Sequence, residues 1–321
     1  MDPDGTSRVF IRKETEHPFP LGGEPYVMLI EIKNILLPLT GADDLDSVMS
    51  VALDFAHRFN AHLSAVVVGS DPTEVATLAG EGISAGMVTE MIDAAATEAH
   101  RRAIKIRHSF DTFVHQNGIR RVEASKIGMT LGEGVSASLE VLDGTEHDAL
   151  TWRSRLADMT LVPNLISATD PRASETLHAI LFDSGRPLVI APPIVPKTVG
   201  RRIAIAWNGT SEASLALRCI LPWAHTAEAV QVLTCQEYQR RGPTGDDVVR
   251  YLRMHGISAT TQACDPINKD VGAGLLKGAE NFGADMLSMG AYSHSRLRQM
   301  ILGGVTRHIL ENMKLTVLMS R

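Results

Sequence analysis

The chain has 321 residues, enough for two domains at roughly 100–200 residues each. It carries 31 Lys and Arg against 37 Asp and Glu, a net charge of −6, and only 5% of its residues are aromatic. That balance argues against a general nucleic-acid binder, which needs a basic stripe or stacking platforms. Three cysteines, Cys219, Cys235 and Cys264, with no CxxC among them, speak against a disulfide framework or structural zinc and for a reducing, cytoplasmic setting. No apolar run reaches the ~18 residues of a membrane span, and no secretory signal is visible.

In chain order, residues 1–30 read as an arm. They are polar up to residue 27, hold Pro18, Pro20 and Pro25, lack periodicity, and are expected to be disordered. From there the chain contains itself twice. Ile35-Leu36-Leu37-Pro38-Leu39-Thr40-Gly41 lines up with Ile203-Ala204-Ile205-Ala206-Trp207-Asn208-Gly209 at a shift of 168. The same shift, without a gap, sets Leu63-Ser64-Ala65-Val66-Val67 on Gln231-Val232-Leu233-Thr234-Cys235. Gly118-Ile119 then matches Gly256-Ile257 at 138, Ala157-Asp158-Met159 matches Ala284-Asp285-Met286 at 127, and Pro187-Leu188-Val189-Ile190 approaches Thr316-Val317-Leu318 at 129. The fall from 168 to 138 predicts 30 extra residues in the first half, within a helical insertion over 87–117.

Short apolar runs alternate with helical periodicity in each half. This predicts an α/β chain of two tandem, doubly wound, five-stranded parallel-sheet domains. In the second half the strands are expected near 202–207, 229–235, 257–263, 285–289 and 315–319, and the helices near 211–224, 244–255, 269–282 and 304–313. Pro192-Pro193-Ile194-Val195-Pro196 ends a strand and marks the join. The predicted units are therefore 31–195 and 199–321.

Ligands of open parallel sheets bind outside the carboxyl ends of the strands. The first strand of the second half ends in Trp207-Asn208-Gly209-Thr210-Ser211, a turn and helix cap that also presents a polar side chain. The fourth ends in Met289-Gly290, and Gly303-Gly304-Val305-Thr306 open the last helix. Glycines, free helix N–H groups and the positive dipole end would together cradle a phosphate, with Arg296, Arg298 and Arg307 adding charge.

With its Gly290-x2-Ser293-x9-Gly303-Gly304 spacing, the second half resembles the universal stress protein family, whose nucleotide-binding members carry Gly-x2-Gly-x9-Gly-Ser/Thr there. Ser293 stands for the second glycine, Gly304 for the hydroxyl residue, and Asn208 for an aspartate at the first strand tip. The resemblance implies a nucleotide-binding-like fold and a stress-related role; some members bind ATP and others do not. Carried over, it points to Ala206, Trp207, Asn208, Thr234, Met289, Gly290, Ser293, Gly303, Gly304, Val305 and Thr306, with ATP, and Mg beside it, as the cofactor it allows. In the first half Pro163 takes the place of Gly290, and Ser174-Glu175 that of Gly303-Gly304. A proline without N–H and a negative charge at the helix start predict no nucleotide there.

The expected protein is a cytoplasmic stress sensor or signalling protein. It has neither nucleic acid nor membrane as partner, and its two halves pair through Leu188-Val189-Ile190 and Thr316-Val317-Leu318 as an intramolecular pseudo-dimer; a homodimer of chains stays open. The alternatives are a ligand-free interaction scaffold using the helical insertion, and a weak ATP-hydrolysing enzyme with Asp265 and Asp270 as its poor candidates. Gly272-Ala273-Gly274 with Gly278 has the wrong spacing and context for a dinucleotide fingerprint. No P-loop or HExxH occurs, and His294, between Ser293 and Ser295, has neither an orienting carboxylate nor a GxSxG elbow around it.

Overall fold

The computed structural model describes residues 31–39, 45–69, 84–127, 134–164, 171–291 and 304–321, without the side chains of 171–174. The expected arm at 1–30 lies outside these residues. Residues 31–321 form one compact unit. The strands are β1 (Asn34–Pro38), β2 (His62–Val68), β3 (Arg120–Arg121), β4 (Ser136–Leu142), β5 (Met159–Val162), β6 (Leu188–Ile190), β7 (Arg202–Trp207), β8 (Ala229–Thr234), β9 (Ala259–Ala263), β10 (Met286–Gly290) and β11 (Thr316–Ser320). The helices are α1 (Asp46–Phe59), α2 (Ala85–Gln116), α3 (Glu146–Ser154), α4 (Pro171–Asp183), α5 (Ser211–Ala224), α6 (Gly245–Met254), α7 (Val271–Phe282) and α8 (Gly304–Asn312).

Among the described residues all eleven strands lie in one sheet, in the order β3-β4-β2-β1-β5-β6-β11-β10-β7-β8-β9. Within each half the pairing is parallel; at the middle β6 and β11 run antiparallel, with Val317 opposite Ile190, Leu318 opposite Val189 and Met319 opposite Leu188. The central strands β1, β5, β6, β7, β10 and β11 are almost wholly buried because both faces are covered, whereas the edge strands β3 (Arg-Arg) and β9 (Ala-Thr-Thr-Gln-Ala) are polar and largely exposed. One face packs α1, α2, α5 and α6, and the other packs α3, α4, α7 and α8.

The two halves repeat down to single hydrogen bonds. The Asp158 carboxylate accepts from the backbone N–H groups of Lys33 (2.7 Å) and Asn34 (2.9 Å). The Asp285 carboxylate accepts from those of Arg201 (3.2 Å) and Arg202 (3.0 Å). Each aspartate thus fixes the start of its half's first strand from the start of the fourth.

Strand register corrects two of the sequence matches. Ile35 pairs with Leu63 and Ile203 with Val230, so the second strand is displaced by 167, not 168. A one-residue slip in a strand exchanges its faces. Leu63 and Val230 do share a face, whereas the ungapped match would set Leu63 against Gln231. In the third strand Leu63 pairs with Ala137 and Val230 with Ala259, a displacement of 122. The first half therefore carries 45 extra residues between its second and third strands rather than 30. The Gly118-Ile119 step leads instead into β3, a two-residue strand added outside the expected five. Most of the added length is α2, which has 32 residues, buries Ala99, packs Ile106, Phe110 and Val114 into the core on one face of the sheet, and leaves its first 14 without a buried side chain.

Aromatic packing joins the halves on the α1/α5 face. Trp223 of α5 meets Phe55 and Phe59 of α1 edge-on, at ring separations of 5.0 and 4.9 Å. Arg58 donates to the carbonyls of Val199 (2.7 Å) and Gly200 (3.2 Å) in the connecting segment. Trp223 is 1% exposed and its indole N–H has no partner among the described residues. Trp223→Ala is expected to lower the unfolding free energy by about 3–5 kcal/mol in denaturant titration. Trp223→Phe, which keeps a ring and loses an unsatisfied donor, should cost much less.

At the far side of the first half, His62 is buried between the hydroxyls of Ser136 (2.8 Å) and Ser138 (2.9 Å). Burial, helped by the charges of Arg120 and Arg121, pulls its pKa down to about 4. Between pH 6.5 and 4 the unfolded chain binds a proton that the folded chain does not, so stability falls as pH drops through that window. The loss amounts to about 3 kcal/mol at most. In His62→Gln, unfolding measured across the same window should show a slope smaller by one proton.

Candidate functional site

In the second half the chain leaves β7 for β8 on one side, then returns to place β10 on the other. The carboxyl ends of β7 and β10 therefore frame the switch-point crevice of the sheet. Ala206 pairs with Met289 and Leu233, and Trp207 with Thr234, so these tips stand level. The first turn of α8 reaches the same edge: the Val305 carbonyl abuts Gly272 in the first turn of α7, which follows β9. Ser293 and Gly303, with Arg296 and Arg298, lie outside the described residues.

Strand alternation divides the expected site residues between two faces. Ala206 and Met289 face the layer of α7 and α8. Trp207 faces the other layer, lining an open groove of ≈490 Å³ with Leu217, Val248 and Tyr251. Thr234 turns its methyl group toward Gly245 at the start of α6. At Trp207 and Thr234 only the backbone is left to face a ligand lying beside α8.

Asn208 is 1% exposed. Its Oδ1 accepts from the backbone N–H (3.2 Å) and hydroxyl (2.9 Å) of Thr210, an Asx turn that sets up the cap of α5. Both lone pairs of Oδ1 are used, so its NH2 group is what it offers a ligand. Gly290 is glycine for a packing reason: a Cβ there would land on the backbone of Glu212 and Ala213 in the first turn of α5. Gly304 differs, being exposed with open space where a Cβ would stand. Thr306 is buried at 4% exposure, at the position corresponding to Leu177 in α4. The Arg307 side chain turns to Glu311 one turn on (2.7 Å) rather than toward the helix start.

The segment after β8 was not singled out by its sequence. Residues 235–244 form a strap over the β7 tip. The Trp207 indole N–H donates to the Pro243 carbonyl (2.7 Å), and the Arg240 N–H to the Asn208 carbonyl (2.7 Å). Gly209, at φ +81°, and Gly242 meet backbone to backbone, and a Cβ on Gly242 would strike the Gly209 carbonyl. Tyr238, in the strap, is 8% exposed and belongs to the same apolar cluster as Ala206, Leu233 and Met289. Burial pushes its phenol up to about 12, with Arg240 and Glu212 within electrostatic reach. A ten-residue gap between a strand and the next helix is the signal in the sequence that could have drawn attention to it.

Other sequence signals have structural employment. Asp270 caps α7 through Ala273 N–H (3.1 Å) and pairs with His308 (2.7 Å). Gly272, Gly274 and Gly278 let α7 pack closely on α8 and on the strand-end residues Asp265 and Cys264. Among the described residues no group of three or more His, Cys, Asp or Glu is placed to hold a metal ion. No described helix is long and apolar enough to cross a membrane. In the first half α4 starts at Pro171, a turn before Glu175, so Glu175 lies within the helix rather than at its start.

Residues 264–321 match the universal stress protein family. Similar solved structures include a universal stress protein from Archaeoglobus fulgidus DSM 4304 (14% identity, 90% of this chain and 96% of that one, TM-score 0.60). A putative universal stress protein from Pseudomonas aeruginosa UCBPP-PA14 is also similar (15% identity, 90% and 93% covered, TM-score 0.50). No curated protein sequence matches the chain. The family match thus falls on the end of the second half, and the α/β fold shared with these structures spans nine-tenths of the chain.

The two glycines separate packing from ligand contact. Gly290→Ala is expected to cost about 1–3 kcal/mol from overpacking. Gly304→Ala, in open space in a helix, should be neutral or stabilise by up to about 1 kcal/mol in thermal unfolding.

Proposed function

We propose that this chain, whose residues 264–321 match the universal stress protein family, is a cytoplasmic stress-response protein of two tandem units, 31–195 and 199–321. In this reading it binds an adenine nucleotide, ATP with Mg, in the second unit. The ligand would lie across the ends of β7 and β10, its phosphates on the backbone N–H groups that open α8 and its sugar by the Asn208 amide. The observation that supports this best is the α8 start: Gly304 is exposed, at the carboxyl edge, and free of packing demands, which leaves its N–H to an anion. In the first unit Pro163 lacks an N–H at the corresponding tip, and Asn164 reaches instead to the Leu310 carbonyl of α8 (3.0 Å). That unit acts as a structural partner. A ligand-free interaction scaffold is the second reading, favoured by the exposed first half of α2 with Met87 56% and Met91 39% exposed.

Calorimetry with MgATP on the wild type and Gly304→Glu tests the site. A carboxylate in the first turn favours the helix but repels phosphate. The expected result is an affinity at least tenfold weaker with an unchanged or slightly raised melting temperature. Equal affinities would overturn the reading.

A further inference from the structure

The strap of residues 235–244 lies over the β7 tip, beside Asn208, where the reading above sets the sugar of the ligand. Resting on the site reading above, we infer that Tyr238 and this strap close the base end of that site, so that nucleotide entry requires strap release. Three independent anchors hold the strap to the β7 tip: Trp207 to Pro243, Arg240 to Asn208, and the backbone contact of Gly209 with Gly242. The Asn208 backbone carbonyl, at the sugar end, is occupied by the Arg240 N–H. Tyr238 supplies the bulk. Its N–H folds back to the Cys235 carbonyl (3.0 Å), and its ring is buried with the side chains of Ala206, Leu233 and Met289, the face a base would contact. The hydroxyl end lies within electrostatic reach of Glu212, in the same α5 turn that packs on Gly290. An aromatic ring thus fills the volume that a flat heterocycle of similar thickness would take. The strap fills this space from outside the sheet and is tied down by few hydrogen bonds, so its release leaves the strands intact.

Tyr238 is in this view a specificity-determining residue, and truncating it should open the base end. Binding of a fluorescent ATP analogue with Mg is measured on the wild type, Tyr238→Ala and Tyr238→Phe. The expected result is at least tenfold tighter binding to Tyr238→Ala, with Tyr238→Phe, which keeps the ring, close to wild type. Hydrogen exchange on the wild-type protein gives a readout that no variant has to fold for: saturating nucleotide should speed exchange of the Arg240 amide at least tenfold. Binding that is equal in all three proteins, with Arg240 protection unchanged, overturns the gate and leaves the site. No binding to any of the three overturns both.

Discussion

Three residue pairs at the centre of the sheet, Val317 with Ile190, Leu318 with Val189 and Met319 with Leu188, govern the rest of the molecule. Each half alone would end in an exposed strand edge, with unpaired N–H and carbonyl groups. Pairing these edges antiparallel makes one eleven-stranded sheet and merges the helices into two continuous layers. It also brings α1 and α5 together, so that Phe55, Phe59 and Trp223 interlock. Because β6 and β11 run in opposite directions, the carboxyl ends of the two halves lie on opposite edges of the sheet. The second-half crevice is therefore separated from its first-half counterpart by the length of the strands.

That separation lets the copies diverge. The first copy lengthens the link between its second and third strands into α2 and adds β3 outside β4. Its β5 tip touches the end of α8 through Asn164, so this edge serves the joint between the halves. The second copy keeps its switch point at the edge where α8 begins, and lays a strap of residues 235–244 over the β7 tip. Glycine has different work at each place: at Gly290 and Gly242 neighbouring backbone leaves no room for a Cβ, whereas at Gly304 nothing does.

The repeat, the alternation of strand and helix, and the second-half element bounds were legible because they rest on local periodicity and caps. Thr210, Thr244 and Asp270 each cap a helix where the sequence sets its start. The gap positions were less legible. The loop between the first strand and helix is longer in the first half, the turn before the second strand is shorter, and nearly cancelling length changes look like an ungapped match. The Gly-Ile step was attractive for the same reason: it precedes a strand in both halves, yet in the first half that strand is the added β3. Of the site, the strand tips were legible, but not that Trp207 and Thr234 turn away from α8, since one residue of phase decides the face.

The sequence by itself determined the doubled α/β chain, the placement of polar and glycine residues at the second-half strand tips, and the loss of the corresponding donors at Pro163 in the first half. These follow from residue type and short-range spacing. Only the tertiary structure decided that Asn208 Oδ1 is spent on Thr210, that Arg307 turns to Glu311, and that residues 235–244 strap the β7 tip with Tyr238 buried beneath them. Each of those depends on which groups meet across a loop or a helix turn, and a contact of that kind leaves no periodic trace in the chain.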